Sequence, residues 1–104
     1  MDIIERVYQI ILARKADPSP DSYVCKLLEK GEDKILQKVG EEAVEVLLAG
    51  KGSDDDALVY ELADLMFHAL VLLGSRDIPP ARVAAELERR FGTSGVAEKA
   101  SRKG

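Results

Sequence analysis

The chain is 104 residues long, 46% hydrophobic without tryptophan, and sets 15 Lys and Arg against 19 Asp and Glu for a formal charge of −4. That length bounds it to one compact domain, 1–104, with a modest core, and the acidic balance excludes a general nucleic-acid binder, which carries a net basic face. A domain this small gains stability by associating, so a homodimer or higher homo-oligomer is expected.

In chain order, Ile3, Ile4, Val7, Ile10 and Ile11 recur at helical spacing and predict an amphipathic helix over residues 2–15. The early acids Asp2 and Glu5, with no basic opening and no long apolar run, support neither a signal peptide nor a membrane span, and a cytoplasmic location is expected. "ADPSPDS" then breaks the helix. A short helix over about 22–30 follows, with Asp21 or Ser22 as its cap and Gly31 beyond its end. It carries the one cysteine, Cys25, which rules out an intrachain disulfide and a cysteine-rich zinc site and reads as a small buried apolar residue.

A third helix is predicted from about Asp33 to Ala49, with Ile35, Val39, Val46 and Ala49 on a heptad stripe whose missing position is Glu42. "GKGS" turns the chain, and Ser53 is the predicted cap of a fourth helix over about 54–73, ended by Gly74. Asp54, Asp55 and Asp56 sit where the helix dipole favours negative charge, a simpler account than metal binding. Leu58, Leu62, Leu65, Ala69 and Leu72 form its apolar stripe. Prolines open a last helix that Gly92 closes. The tail, about 93–104, is polar and basic, a composition typical of disorder. No strand pattern appears, so the fold class is all-α: four to five helices around a central antiparallel hairpin, completed by dimerisation.

The chemistry lies on that hairpin. Glu42 and Glu45 are three apart on one helix, Glu61 and Asp64 three apart on the next, and each spacing puts two carboxylates on one face. Glu42 lies eight residues before the turn's first residue, Gly50, and Glu61 eight after its last, Ser53, so each stands roughly 12 Å up its helix and the pairs come level. Four carboxylates in a partly apolar cleft must be protonated, paired with cations or bound to metal. An all-oxygen donor set suits Mg²⁺ or Mn²⁺. The bland alternative is a solvated acidic face paired with Lys34, Lys38 and arginines; two level pairs favour metal.

Three other features bear on the site. Gly40 stands inside a helix, where it costs about 1 kcal/mol against Ala and suggests a close approach by a backbone, a ligand or a packing helix. Lys30, Lys34 and Lys38 are spaced by four and run toward the acids, either as an exposed face or as a grip on phosphates. His68, four residues after Asp64, reads first as a core residue and second as a group orienting a carboxylate from behind. No histidine follows a glutamate by three, which argues against redox iron.

The segments "SYVCKLLEKGEDKILQKVGEEAVEVLLAGK", "YELADLMFHALVLL" and "SGVAEKASRKG" closely resemble the phosphoribosyl-ATP pyrophosphohydrolase family, within the MazG-like all-α nucleoside triphosphate pyrophosphatases. The likeness runs from about Ile4 to Lys103; the acid pairs mark the superfamily, while "KGEDKI" and "EKASRK" mark the histidine-biosynthesis member. The resemblance implies hydrolysis of phosphoribosyl-ATP to phosphoribosyl-AMP and pyrophosphate, with Mg²⁺ on Glu42, Glu45, Glu61 and Asp64. The charges then make Glu41 or Glu45 the proton acceptor and put Lys34 and Lys38 on phosphate oxygens, and the basic tail is expected to close on the substrate phosphates through Lys99 and Arg102. Rival readings are a house-cleaning nucleoside triphosphate pyrophosphatase and a non-catalytic helical dimerisation module.

Overall fold

The structure, a computed structural model, describes residues 2–92. Five helices follow in order: α1 (Ile3–Ala16), α2 (Tyr23–Lys30), α3 (Glu32–Lys51), α4 (Asp55–Ser75) and α5 (Pro80–Phe91). The described residues contain no strand, and the fold is all-α.

Side-chain caps fix the starts of α1, α2 and α4. Asp2 accepts from the Glu5 amide at 2.8 Å, and Ser22, one of the two expected caps, accepts from the Cys25 amide at 3.3 Å. At α4 the cap is Asp54 rather than the expected Ser53: its Oδ1 accepts from the amides of Asp56 and Ala57, and a carboxylate there also complements the helix dipole. Helix α3 runs two residues further than expected, to Lys51, which shortens the turn to 52–54 and holds α3 and α4 as a close antiparallel hairpin. Gly31 joins α2 to α3 at φ 97°, a left-handed backbone that glycine adopts without strain.

The core is built from Ile11, Val24, Leu27, Ile35, Leu70 and Val71, with Ile4, Val7, Leu28, Phe67, Leu72 and Leu73 packed around it. Thus α1, α2 and the start of α3 cover the C-terminal half of α4. Gly74 lies inside this packing and does not end α4 as expected. A methyl added there would stand 2.7 Å from Ile11 Cγ2, so glycine lets α1 and α4 close up. The helix ends instead at Ser75; two residues on, Asp77 is the left-handed residue (φ 56°), and there the Ile78 amide bonds the Leu73 carbonyl at 3.0 Å and the Asp77 amide bonds that of Gly74 at 3.2 Å. Lys15 Nζ completes the cap, donating to the carbonyls of Gly74 and Ser75 and to Asp77.

The stripe expected on α3 faces inward: Ile35 and Glu42 are buried, and Val39, Val46 and Ala49 half-buried. The stripe expected on α4 needs correction. Its buried residues are His68, Leu70, Val71 and Gly74, with Glu61, Asp64 and Phe67 half-buried, while Leu62 of the leucine stripe is exposed. Helix α4 is apolar around most of its circumference, so its leucines did not fix its orientation. By length and apolarity α4 could also cross a membrane. Glu61, Asp64 and His68 at its middle, set against α3, instead make it the core helix of a bundle.

Beyond the core, toward the hairpin turn, apolar residues stand in the open: Val44, Leu47 and Leu48 of α3, and Val59, Tyr60 and Met66 of α4. Helix α5 adds exposed Val83, Leu87 and Phe91 and buries none of its own residues. Beyond its own helix backbone, Gly40 has no atom within 4 Å of where a Cβ would be, so no close approach among the described residues accounts for it.

Candidate active site

The acids lie where the packed half of the hairpin meets the open half. Glu42, on the inward stripe of α3, is only 8% exposed, and Lys38 one turn earlier reaches it with Nζ at 3.5 Å. The same ammonium is 3.3 Å from Glu41 Oε2, while Gln37 Nε2 donates to Glu41 Oε1 at 2.7 Å. These two bonds, Gln37 first, hold the Glu41 carboxyl below the usual carboxylate range. In turn Lys38 is held above the ordinary lysine value, chiefly by its bond to Glu41.

Across the hairpin, Glu61 responds to the other three acids of the two pairs. Its pKa is raised by partial burial and then by the charges of Glu45, Glu42 and Asp64. The fold therefore brings the two pairs together, with like charges facing one another and Lys38 the one lysine among the described residues bonded to them, through Glu42. Glu42, Asp64 and His68 converge most closely, offering ligand atoms within 4.8 Å of one another.

His68, only 3% exposed, is fully engaged. Its Nδ1 lies 2.8 Å from the Asp64 carbonyl oxygen and 3.3 Å from Asp64 Oδ1, and its Nε2 lies 2.8 Å from the Tyr23 hydroxyl. A carbonyl only accepts, so in the neutral ring Nδ1 carries the proton and Nε2 accepts from Tyr23. Neither nitrogen has a lone pair free for a metal, which leaves carboxylate oxygens as the donors. Those oxygens form the hard donor set that suits a small divalent cation.

Tyr23 is the residue that the sequence did not single out. It opens α2 and packs on α4, its ring stacked at 6.2 Å on Phe67 and edge-on at 5.7 Å to His68. Burial raises its phenol pKa; Lys38 opposes this, and Asp64, Glu42 and Glu41 add to it. Only the tertiary packing of α2 against α4 joins it to the site, and no spacing along the chain signals that.

Of the other expected residues, Glu45 is exposed one turn beyond Glu42, and Lys34 lines a groove with Lys38 and Glu41. Lys99 and Arg102 lie outside the described residues.

The family model for phosphoribosyl-ATP pyrophosphohydrolase matches residues 4–91. The chain belongs to that family. Among its relatives, the phosphoribosyl-ATP pyrophosphatase of Geobacter sulfurreducens is 61% identical over 101 residues, covering 97% of this chain and 94% of the relative. That of Trichlorobacter lovleyi is 59% identical over 101 residues with the same coverage. That of Neisseria gonorrhoeae is 55% identical over 101 residues, covering 96% and 94%. The likeness thus takes in both acid pairs and every described helix.

Proposed function

We infer that this chain hydrolyses the α–β phosphoanhydride of phosphoribosyl-ATP, yielding phosphoribosyl-AMP and pyrophosphate in histidine biosynthesis. The observation that carries the reading is the end-to-end likeness to relatives bearing that name, in a chain whose fold gathers Glu42, Glu45, Glu61 and Asp64. Those four carboxylates would hold Mg²⁺, with Mn²⁺ as a substitute; when bound, the cation supplies charge neutralisation on the triphosphate and its leaving pyrophosphate.

The chain's own residues do the rest. Lys38 and Lys34 stand beside the acids to hold phosphate oxygens. Both Glu41 oxygens are bonded, to Gln37 and Lys38, so Glu41 anchors the lysine. Glu45, which makes no hydrogen bond among the described residues, is the better acceptor for the proton of the attacking water. His68, locked by Tyr23, orients Asp64 from behind. Lys99 and Arg102, with Lys103, are proposed to close on the substrate phosphates. The open apolar face around Leu47 and Tyr60 is proposed to be covered by a second copy in a two-fold dimer, the commonest closed assembly. A cytoplasmic site of action fits a substrate built from ATP.

Pyrophosphate release from phosphoribosyl-ATP, ATP and dUTP, each with and without Mg²⁺, tests the reading. Strong, Mg²⁺-dependent preference for phosphoribosyl-ATP is expected. Equal turnover of dUTP or ATP would make the chain a house-cleaning pyrophosphatase, and no turnover of any would leave a dimerisation module.

A further inference from the structure

The acid cluster has a basic counterpart. Lys26 and Lys30, one turn apart on α2, and Lys34 and Lys38, one turn apart on α3, line a single groove with Tyr23, Leu27 and Glu41. Glu41 is the one acid of this lining and already neutralises Lys38. The side chains of Lys26, Lys30 and Lys34 form no ion pair and no hydrogen bond among the described residues. Four ammonium groups converging with one spent counter-charge repel one another, and a groove of this kind is neutralised by an anion from outside.

We propose that the Lys26 and Lys30 end of this groove is a second anion subsite, which takes the phosphate on the N1-ribosyl group of the substrate and so selects phosphoribosyl-ATP over plain nucleotides. The proposal rests on the activity inferred above. Its geometry is that of a bipolar ligand. The Lys38 end of the groove adjoins Glu41 and Glu42, where the triphosphate is to be cleaved, and the Lys26 and Lys30 end lies away from the acids on the neighbouring helix. The half-exposed Tyr23 ring also lines the groove, an apolar face suited to the part of the ligand that separates its two phosphate-bearing ends. ATP offers nothing to the far end. The break at Gly31 sets the subsite, because it folds α2 against α3 and turns two lysine pairs on separate helices toward one groove.

The test is steady-state kinetics on the full chain with the double substitution Lys26→Ala/Lys30→Ala. Both side chains are exposed, so helicity by circular dichroism is expected to be unchanged. The KM for phosphoribosyl-ATP should rise about tenfold, equivalent to about 1.4 kcal/mol, with kcat within about twofold. Ribose 5-phosphate should inhibit the parent protein competitively and the variant about tenfold more weakly, while ATP inhibits both alike. Lys26→Arg/Lys30→Arg should restore the parent values. An unchanged KM in a protein that turns over phosphoribosyl-ATP overturns the subsite alone. Equal weakening of ATP and ribose 5-phosphate overturns it in favour of general attraction of anions. A parent protein without turnover of phosphoribosyl-ATP overturns the activity and the subsite together.

Discussion

The two halves of the α3–α4 hairpin are covered to very different degrees. At the end far from the turn, Ile35, Leu70 and Val71 are sealed by Ile11, Val24 and Leu27 of the helices laid over them. Near the turn, residues just as apolar are bare, Leu47 at 68% and Tyr60 at 70% exposed. The acids straddle the boundary, Glu42 and Asp64 against the packed side and Glu45 toward the open one. The packed half holds the cluster rigid through His68 and Tyr23. Under the proposed function, the open half gives the charges room for an anionic substrate and its cation, and gives a second copy a face to cover.

The sharpest way to break this contrast is to damage each half and vary protein concentration. Ile11→Ala opens a cavity in the packed half and should lower stability by about 2–5 kcal/mol. Urea midpoints should show that loss equally at low and high protein concentration. Leu47→Asp puts a charge on the bare half; it should halve the mass seen by light scattering and remove the concentration dependence that a dimer's stability shows. A stable assembly of unchanged mass would show that no second copy covers this face.

Tyr23→Phe probes the packed half more gently. It leaves His68 Nε2 buried without its donor, a loss of about 1–3 kcal/mol. Asp64 should then be less well oriented, so kcat should fall several-fold with KM nearly constant. A rise in KM alone would assign Tyr23 to substrate binding instead.

The smallest effect concerns pH at the boundary. Glu61 has its pKa raised in the metal-free fold, so the folded state resists its ionisation. A raised carboxyl pKa lowers stability above the folded value, and the loss disappears as pH falls through that value toward the ordinary 4.5. Glu61→Gln should therefore melt higher than the parent at neutral pH without metal, and the gap should close on acidification. With Mg²⁺ present the order should reverse, because the parent alone retains the full ligand set.

Much of this was legible in the sequence because it depends on local spacing. The helix order, the Ser22 cap and the inward stripe of α3 carrying Glu42 all follow from periods of three and four. The level of the acid pairs follows from a short turn and a fixed rise per residue. The misses have tertiary causes. Helix α4 carries leucines on its outer side as well, so the heptad pattern settled on a line beside the one formed by Asp64, His68 and Val71. Its end was placed at Gly74 because glycine commonly takes the left-handed position, whereas here Asp77 takes it and Gly74 serves a close helix crossing. Tyr23 and the pooling of lysines from α2 and α3 depend on how separate helices meet, and no window along the chain holds both partners.

The account turns on the boundary carboxylates acting as a cation site for pyrophosphate release. Its most direct test is turnover of phosphoribosyl-ATP at saturating Mg²⁺ by Glu42→Gln and by Asp64→Asn, with circular dichroism on the same samples. Each change removes one ligand charge while keeping almost the same shape, so the account predicts turnover reduced at least about a thousandfold, about 4 kcal/mol in the barrier, with helicity intact. Near-parental turnover by either variant would contradict it.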